Sequence, residues 1–149
     1  MDIYFAGSIR AGREDVDLYL GIIKHLQNYG HVLTEHVADK SISIMGEDGI
    51  SDAQIHDRDM DWLTKSRVIV AEVTRASLGV GYEIGRIVER NSRVPGFDRK
   101  HILCLYRPQA DRRLSAMISG SEGVINYEYT NLPEALEKID KFFTLLKIN

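Results

Sequence analysis

Five short apolar, β-branched runs alternate with helical patterns along this chain, and that alternation constrains the fold more than any other feature. The runs are Ile3 to Ala6, Val32 to Val37, Val68 to Val73, His101 to Tyr106 and Val124 to Tyr129. Strands separated by helix-length segments are joined by crossovers rather than hairpins, which makes them parallel. The pattern therefore predicts an α/β fold, a doubly wound five-stranded parallel sheet with helices on both faces. The 149 residues suffice for one domain, 1–149, with a full core, and are too few for two. In such sheets ligands bind at the carboxyl ends of the strands, near the switch in strand order.

The connecting segments carry their own punctuation. Val16, Leu20, Ile23 and Leu26 share one face of a helix that stops at Gly30. Lys40 to Gly49 is polar and reads as a loop, and Ser51 followed by Asp52 reads as an N-cap. The next helix carries Ile55, Trp62 and Leu63 on one stripe, and a later one carries Val80, Ile84, Ile87 and Val88. Asn91 to Lys100 is charged and holds the turn signal Pro95-Gly96. Leu114 to Ile118 reads as a short segment. Asn131 and Glu134 resemble a capping box before a helix that buries Leu132, Leu136, Ile139, Phe143 and Leu146.

Composition narrows the function classes. A formal charge of −3 argues against a nucleic-acid polymer or an acidic membrane as main partner, though a local positive site can still take a small anion. No run approaches the ~20 apolar residues of a membrane span. The chain opens directly on a strand-like segment with no signal peptide, which makes a reducing compartment, cytoplasmic or nuclear, the expectation. Cys104 is the only cysteine, lies in an apolar run and reads as a buried thiol. No His/Cys/Asp spacing resembles a metal site, so neither metal nor cofactor is expected. The GxxxxGK[ST], GxGxxG and GxSxG patterns are all absent.

Three segments at strand ends carry chemistry: Gly7 to Arg13, Glu72 to Glu83 and Arg107 to Ser115. In the first, the amides of Gly7, Ser8 and Ile9 lie at a helix N-terminus, and Arg10 or Arg13 adds a cation; the segment suits an anion, and a tight turn with solvated arginines accounts for it equally well. In the second, Ser77 with the amides at Gly79 and Gly81 suits a phosphate. Glu83 falls on the apolar face of its helix, three residues after Val80. Asp59 falls on the stripe of its own helix, four residues after Ile55 and four before Leu63, whereas Asp57 and Asp61 lie off it. Inward carboxylates are paired, protonated or used, and an ordinary ion pair remains the alternative for each. Glu72, at a strand end, competes with Glu83 and ranks below it. His36 and His56 fall near the expected pocket, while His25, His31 and His101 look structural or exposed. Tyr82 and Tyr106 suit either base stacking or packing. Two inward carboxylates suggest glycosidic chemistry, one as nucleophile at an anomeric carbon and the other as acid and then base.

Taken together, IYFAGSIRAGRED at Ile3 to Asp15, VLTEHVA at Val32 to Ala38, IHDRDMDWL at Ile55 to Leu63, VIVAEVTRASLGVGYEIGR at Val68 to Arg86, ILCLYRPQ at Ile102 to Gln109 and LSAMISG at Leu114 to Gly120 resemble the 2′-deoxynucleoside 5′-phosphate N-hydrolases of the nucleoside 2-deoxyribosyltransferase superfamily. The resemblance implies a flavodoxin-like sheet and a homodimer. It also implies cleavage of a deoxynucleoside monophosphate to free base and deoxyribose 5-phosphate through a covalent glycosyl-enzyme. On the matching positions, Glu83 is the nucleophile and Asp59 the partner carboxylate. Tyr4 stands beside the sugar. Ser8, Arg10, Ser77 and Gly79 surround the 5′-phosphate, and Ser115 reaches the phosphate from the other subunit. Deoxyribosyl transfer between bases and a non-catalytic nucleotide-binding module are the competing readings, and the preferred base is open. The segment Ser92 to Lys100 looks longer than the corresponding turn in that family, and is expected at the end of the sheet away from the site.

Overall fold

The computed structural model describes residues 1–8, 15–33 and 49–148. Its five strands are β1 (Asp2–Ala6), β2 (His31–Leu33), β3 (Val68–Glu72), β4 (His101–Tyr106) and β5 (Ile125–Glu128). They form one sheet in the order β2-β1-β3-β4-β5, every pair parallel. This is the flavodoxin-like order, with its switch point between β1 and β3. The helices are α1 (Val16–Leu26), α2 (Asp52–Lys65), α3 (Leu78–Ser92), α4 (Ala116–Ser119) and α5 (Leu132–Ile148), with a 3-10 turn at Gly96–Asp98.

Alternation along each strand sorts the side chains into two cores. Ile3, Phe5, Val68 and Val70 pack with Tyr19 and Ile22 of α1 and Ile139 and Phe142 of α5. Tyr4, Ala6, Ile69 and Ala71 point the other way, onto Leu63 of α2 and Val80, Ile84 and Ile87 of α3. At ~1.5–3 kcal/mol for each large apolar side chain buried, these two layers are the main stabilising term.

Several local expectations change. Leu20 is exposed, because α1 presents Tyr19, Ile22 and Ile23 to the core beside Val16 and Leu26. Gly30 is not a left-handed stop. It passes so close to the residue before β1 that a Cβ there would collide with the Met1 carbonyl oxygen. Ser51 caps α2 as expected, and Gln54 returns the bond to complete a capping box. In the Asn131–Glu134 pair only half the box forms. Glu134 N–H donates to Asn131 Oδ1 at 3.0 Å, but the Glu134 carboxylate reaches back to Thr130. On α5 the deepest residues are Ala135, Ile139, Phe142 and Phe143, with Leu132, Leu136 and Leu146 flanking them. Residues 34–37 of the Val32 to Val37 run, with His36, and residues 40–48 of the Lys40 to Gly49 loop lie outside the described residues.

Candidate active site

Tyr4, Asp59 and Glu83 come from β1, α2 and α3 and meet on the sheet face that those two helices cover. The Tyr4 hydroxyl donates to Glu83 Oε1 at 2.9 Å. The strand pleat explains why: Tyr4 shares the face of Ala6, while Ile3 and Phe5 point into the other core. Burial pushes the Glu83 carboxyl up to about 7, the nearby Asp59 charge pushes the same way, and the Tyr4 bond opposes both. The Tyr4 phenol is itself driven well above its ordinary value by burial and by the charges of Glu83 and Asp59, so it stays a neutral donor. Asp59 is forked by Arg58, Nε at 3.0 Å and a terminal nitrogen at 2.9 Å from Oδ1. Asp57 and Asp61 face solvent.

Beside this group lies the N-terminus of α3. Ser77 caps it, its Oγ accepting from Val80 N–H at 3.3 Å, and Gly79 is exposed in the first turn. Ser77 and Ser115 both line a cleft of about 900 Å³ between α3 and the loop leading into α4. Ser115 caps α4 and is exposed. The cleft runs along Leu78, Gly81 and Gly85 and does not include Glu83. Residues two positions apart on a helix lie ~200° apart around its axis, so Glu83 projects from the flank of α3 away from Gly81.

Gly7 and Ser8 follow β1. A Cβ on Gly7 would meet the Tyr19 ring at 3.0 Å, a close approach that selects glycine. Ser8 is 1% exposed, and its Oγ is buried without a hydrogen-bond partner among the described residues. Ile9 and Arg10 lie outside the described residues, as does Arg13. No group of three or more His, Cys, Asp or Glu among the described residues is arranged to hold a metal ion. Tyr106 is buried, and its hydroxyl donates to the Arg112 carbonyl. Tyr82 is half exposed; Arg86 donates to its hydroxyl, and His56 Nε2 lies 3.2 Å from it.

Sequence reasoning from periodicity missed Tyr4 and Arg58. A phenol inside an apolar strand reads as core, and an arginine one residue off a stripe reads as solvated. The signal for Tyr4 was its strand register with Ala6.

The family model described as nucleoside 2-deoxyribosyltransferase matches residues 3–128. The chain belongs to that family. A relative from Danio rerio, named 5-hydroxymethyl-dUMP N-hydrolase, is 52% identical over 152 residues, 99% of each chain. A human protein of the same name is 45% identical over 144 residues, 95% of this chain and 78% of its own. Among solved structures, a CMP N-glycosidase from Clostridium botulinum superposes with a TM-score of 0.68 at 18% identity, over 95% of this chain and 99% of that one. At that identity the likeness is one of fold.

Proposed function

We propose that this nucleoside 2-deoxyribosyltransferase family member is a glycosidase that hydrolyses the N-glycosidic bond of 2′-deoxynucleoside 5′-monophosphates, releasing free base and 2-deoxyribose 5-phosphate. The observation that carries this reading is the Tyr4–Glu83 hydrogen bond, with Asp59 in electrostatic reach, beside the serine-capped N-terminus of α3. A carboxylate buried against a neutral donor, with an anion site one helical turn away, matches a sugar whose far end bears a phosphate. The names of the relatives at 45% and 52% identity make 5-hydroxymethyl-dUMP the first substrate to try.

The Glu83 carboxylate attacks C1′ as the C1′–N bond breaks, and the electron pair leaves on the base, which takes a proton from the Asp59 carboxyl. Water then attacks C1′ while Asp59 accepts its proton, and Glu83 departs from the sugar. Tyr4 holds the Glu83 oxygen on line. Without a 2′-hydroxyl the developing positive charge at C1′ is less disfavoured. Phosphate binding at Ser77 and Gly79, with Ser8 and Arg10 of the first loop, positions C1′.

The active form is a homodimer in this reading. Ser115 and Glu83 of one chain lie on different flanks of α3, and the cleft that holds Ser115 is edged by exposed Leu78 and Met117. A second copy seated there covers both apolar side chains and brings its Ser115 to the neighbouring phosphate.

A substrate panel with chromatographic detection of free base tests the assignment. Release from a deoxynucleoside monophosphate, but not from the plain nucleoside, is expected. A new nucleotide formed with an added foreign base means transfer, and tight binding without release means a silent module. Glu83→Gln is expected to abolish turnover while leaving monophosphate affinity within about tenfold.

A further inference from the structure

On the opposite face of the sheet from Glu83, the end of β3 carries a second carboxylate, and it is the more deeply buried of the two. Glu72 is 0% exposed. Its Oε1 accepts from the Thr74 backbone N–H at 3.1 Å, from the Thr74 hydroxyl, and from the Tyr129 hydroxyl at 3.2 Å. The Thr74 hydroxyl in turn accepts from Arg107 N–H at 2.9 Å. The Arg107 guanidinium donates to Asp15 Oδ2 at 2.9 Å, and Arg75 stands 3.7 Å from the same oxygen. One connected set of bonds thereby joins three carboxyl-edge segments: the turn after β3 that leads to Ser77, the loop after β4 that leads to Ser115, and Asp15 at the start of α1.

We propose that Glu72 is a positioning residue for the phosphate-binding edge, anchoring the Thr74–Ser77 turn to the β4 loop so that Ser77 and the amides after it are held in place for the anion. The inference rests on the phosphate role given above to Ser77 and its neighbours. The sheet has no need of this cluster. Strand pairing of β3 with β4 is complete through Glu72↔Leu105, and the bonds from Glu72 all serve residues beyond the strand or on its far side. A chain of hydrogen bonds in a low-dielectric setting is strengthened by each neighbour and fixes geometry more tightly than its separate links. Glu72 Oε2 is buried and has no hydrogen-bond partner among the described residues. Burial holds the carboxyl above its ordinary range. A glutamine, with one carbonyl oxygen to accept and an amide in the place of a neutral acid, therefore preserves the arrangement.

The test is steady-state kinetics on Glu72→Ala, Glu72→Gln and Thr74→Val, with deoxyribose 5-phosphate as a competitive inhibitor. Glu72→Ala is expected to raise KM for the monophosphate and Ki for deoxyribose 5-phosphate together by about tenfold, with kcat within about threefold. Glu72→Gln is expected to stay within about threefold of wild type in all three. Should the alanine variant not fold, Thr74→Val carries the test. It cuts only the link between Arg107 and Glu72, and is expected to raise KM and Ki by about threefold at an unchanged kcat. Unchanged KM and Ki in the folded alanine or valine variant, or a loss confined to kcat, overturns the proposal. If wild type neither cleaves monophosphates nor binds deoxyribose 5-phosphate, it is the phosphate reading itself that falls.

Discussion

Glu83 answers to two opposed demands. Burial and Asp59 favour its neutral form, while Tyr4 favours its charged form, and the balance at about 7 leaves both populated near neutrality. A nucleophile must be ionised in the free enzyme, so kcat/KM is expected to fall as pH drops below about 7. The raised value alone fits a proton donor instead, and that role gives the opposite limb, a fall above the same pH. The same shift bears on stability. Unfolded, the side chain titrates near ~4.3, below its folded value, so folding takes up a proton between the two. Glu83 is then harmless to the fold at low pH and destabilising once pH has risen through the folded value. Glu83→Gln is expected to be more stable than wild type at about pH 8 by roughly 1–3 kcal/mol, the gap narrowing as pH falls and closing below about pH 4. Thermal melts across that range check it, and a gap independent of pH contradicts the electrostatic cause.

Among the elements, the Ser92 to Lys100 segment shows how a connection can be long and still fixed. It lies at the amino-terminal edge of β4, opposite the candidate site. The buried Lys100 ammonium donates to the carbonyls of Thr64, at 2.6 Å, and Ser66, at the end of α2. Asn91 grips the Lys100 backbone from both sides, Nδ2 to its carbonyl at 2.8 Å and its N–H to Oδ1 at 2.9 Å. Lys100→Met leaves those carbonyls unsatisfied and is expected to cost about 1–3 kcal/mol with kcat/KM unchanged. Denaturant melts and kinetics on the same preparation check both halves. Elements with strong local signals were legible: β4 runs from His101 to Tyr106 as its apolar run does, and Ser51 caps α2. Leu20 misled because a helix between sheet and neighbour buries a face wider than one stripe, and Tyr19 competes for it. The placement of Asp59 and Glu83 was legible because a carboxylate on an apolar stripe stands out. Arg58 was not, since its fork onto the adjacent residue leaves no periodic mark. Nor was the hub at Glu72, whose partner Tyr129 lies 57 residues away along the chain.

At the scale of the whole molecule, α3 divides the two halves of the proposed site. The cleft that holds Ser115 lies to one side, and Tyr4, Asp59 and Glu83 lie to the other, with the N-terminal cap at its end between them. If each site takes Ser115 from the second copy, then mixing Glu83→Gln with Ser115→Ala subunits builds one fully native site in every mixed dimer. At low substrate, activity is expected to return to about a quarter of wild type, since half the dimers are mixed and one site in each is intact. Activity no greater than the average of the two parents means that Ser115 serves its own chain. Leu78→Asp on the exposed apolar edge is expected to give monomers in sedimentation and to lose activity with them. The account as a whole stands on the ester between Glu83 and C1′. The most direct measurement is mass spectrometry of the enzyme quenched in acid within a single turnover of a deoxynucleoside monophosphate and then digested. A deoxyribose 5-phosphate adduct on the peptide that holds Glu83 is the expected result; the adduct on the peptide that holds Asp59, or free base released with no adduct at any time point, would contradict it.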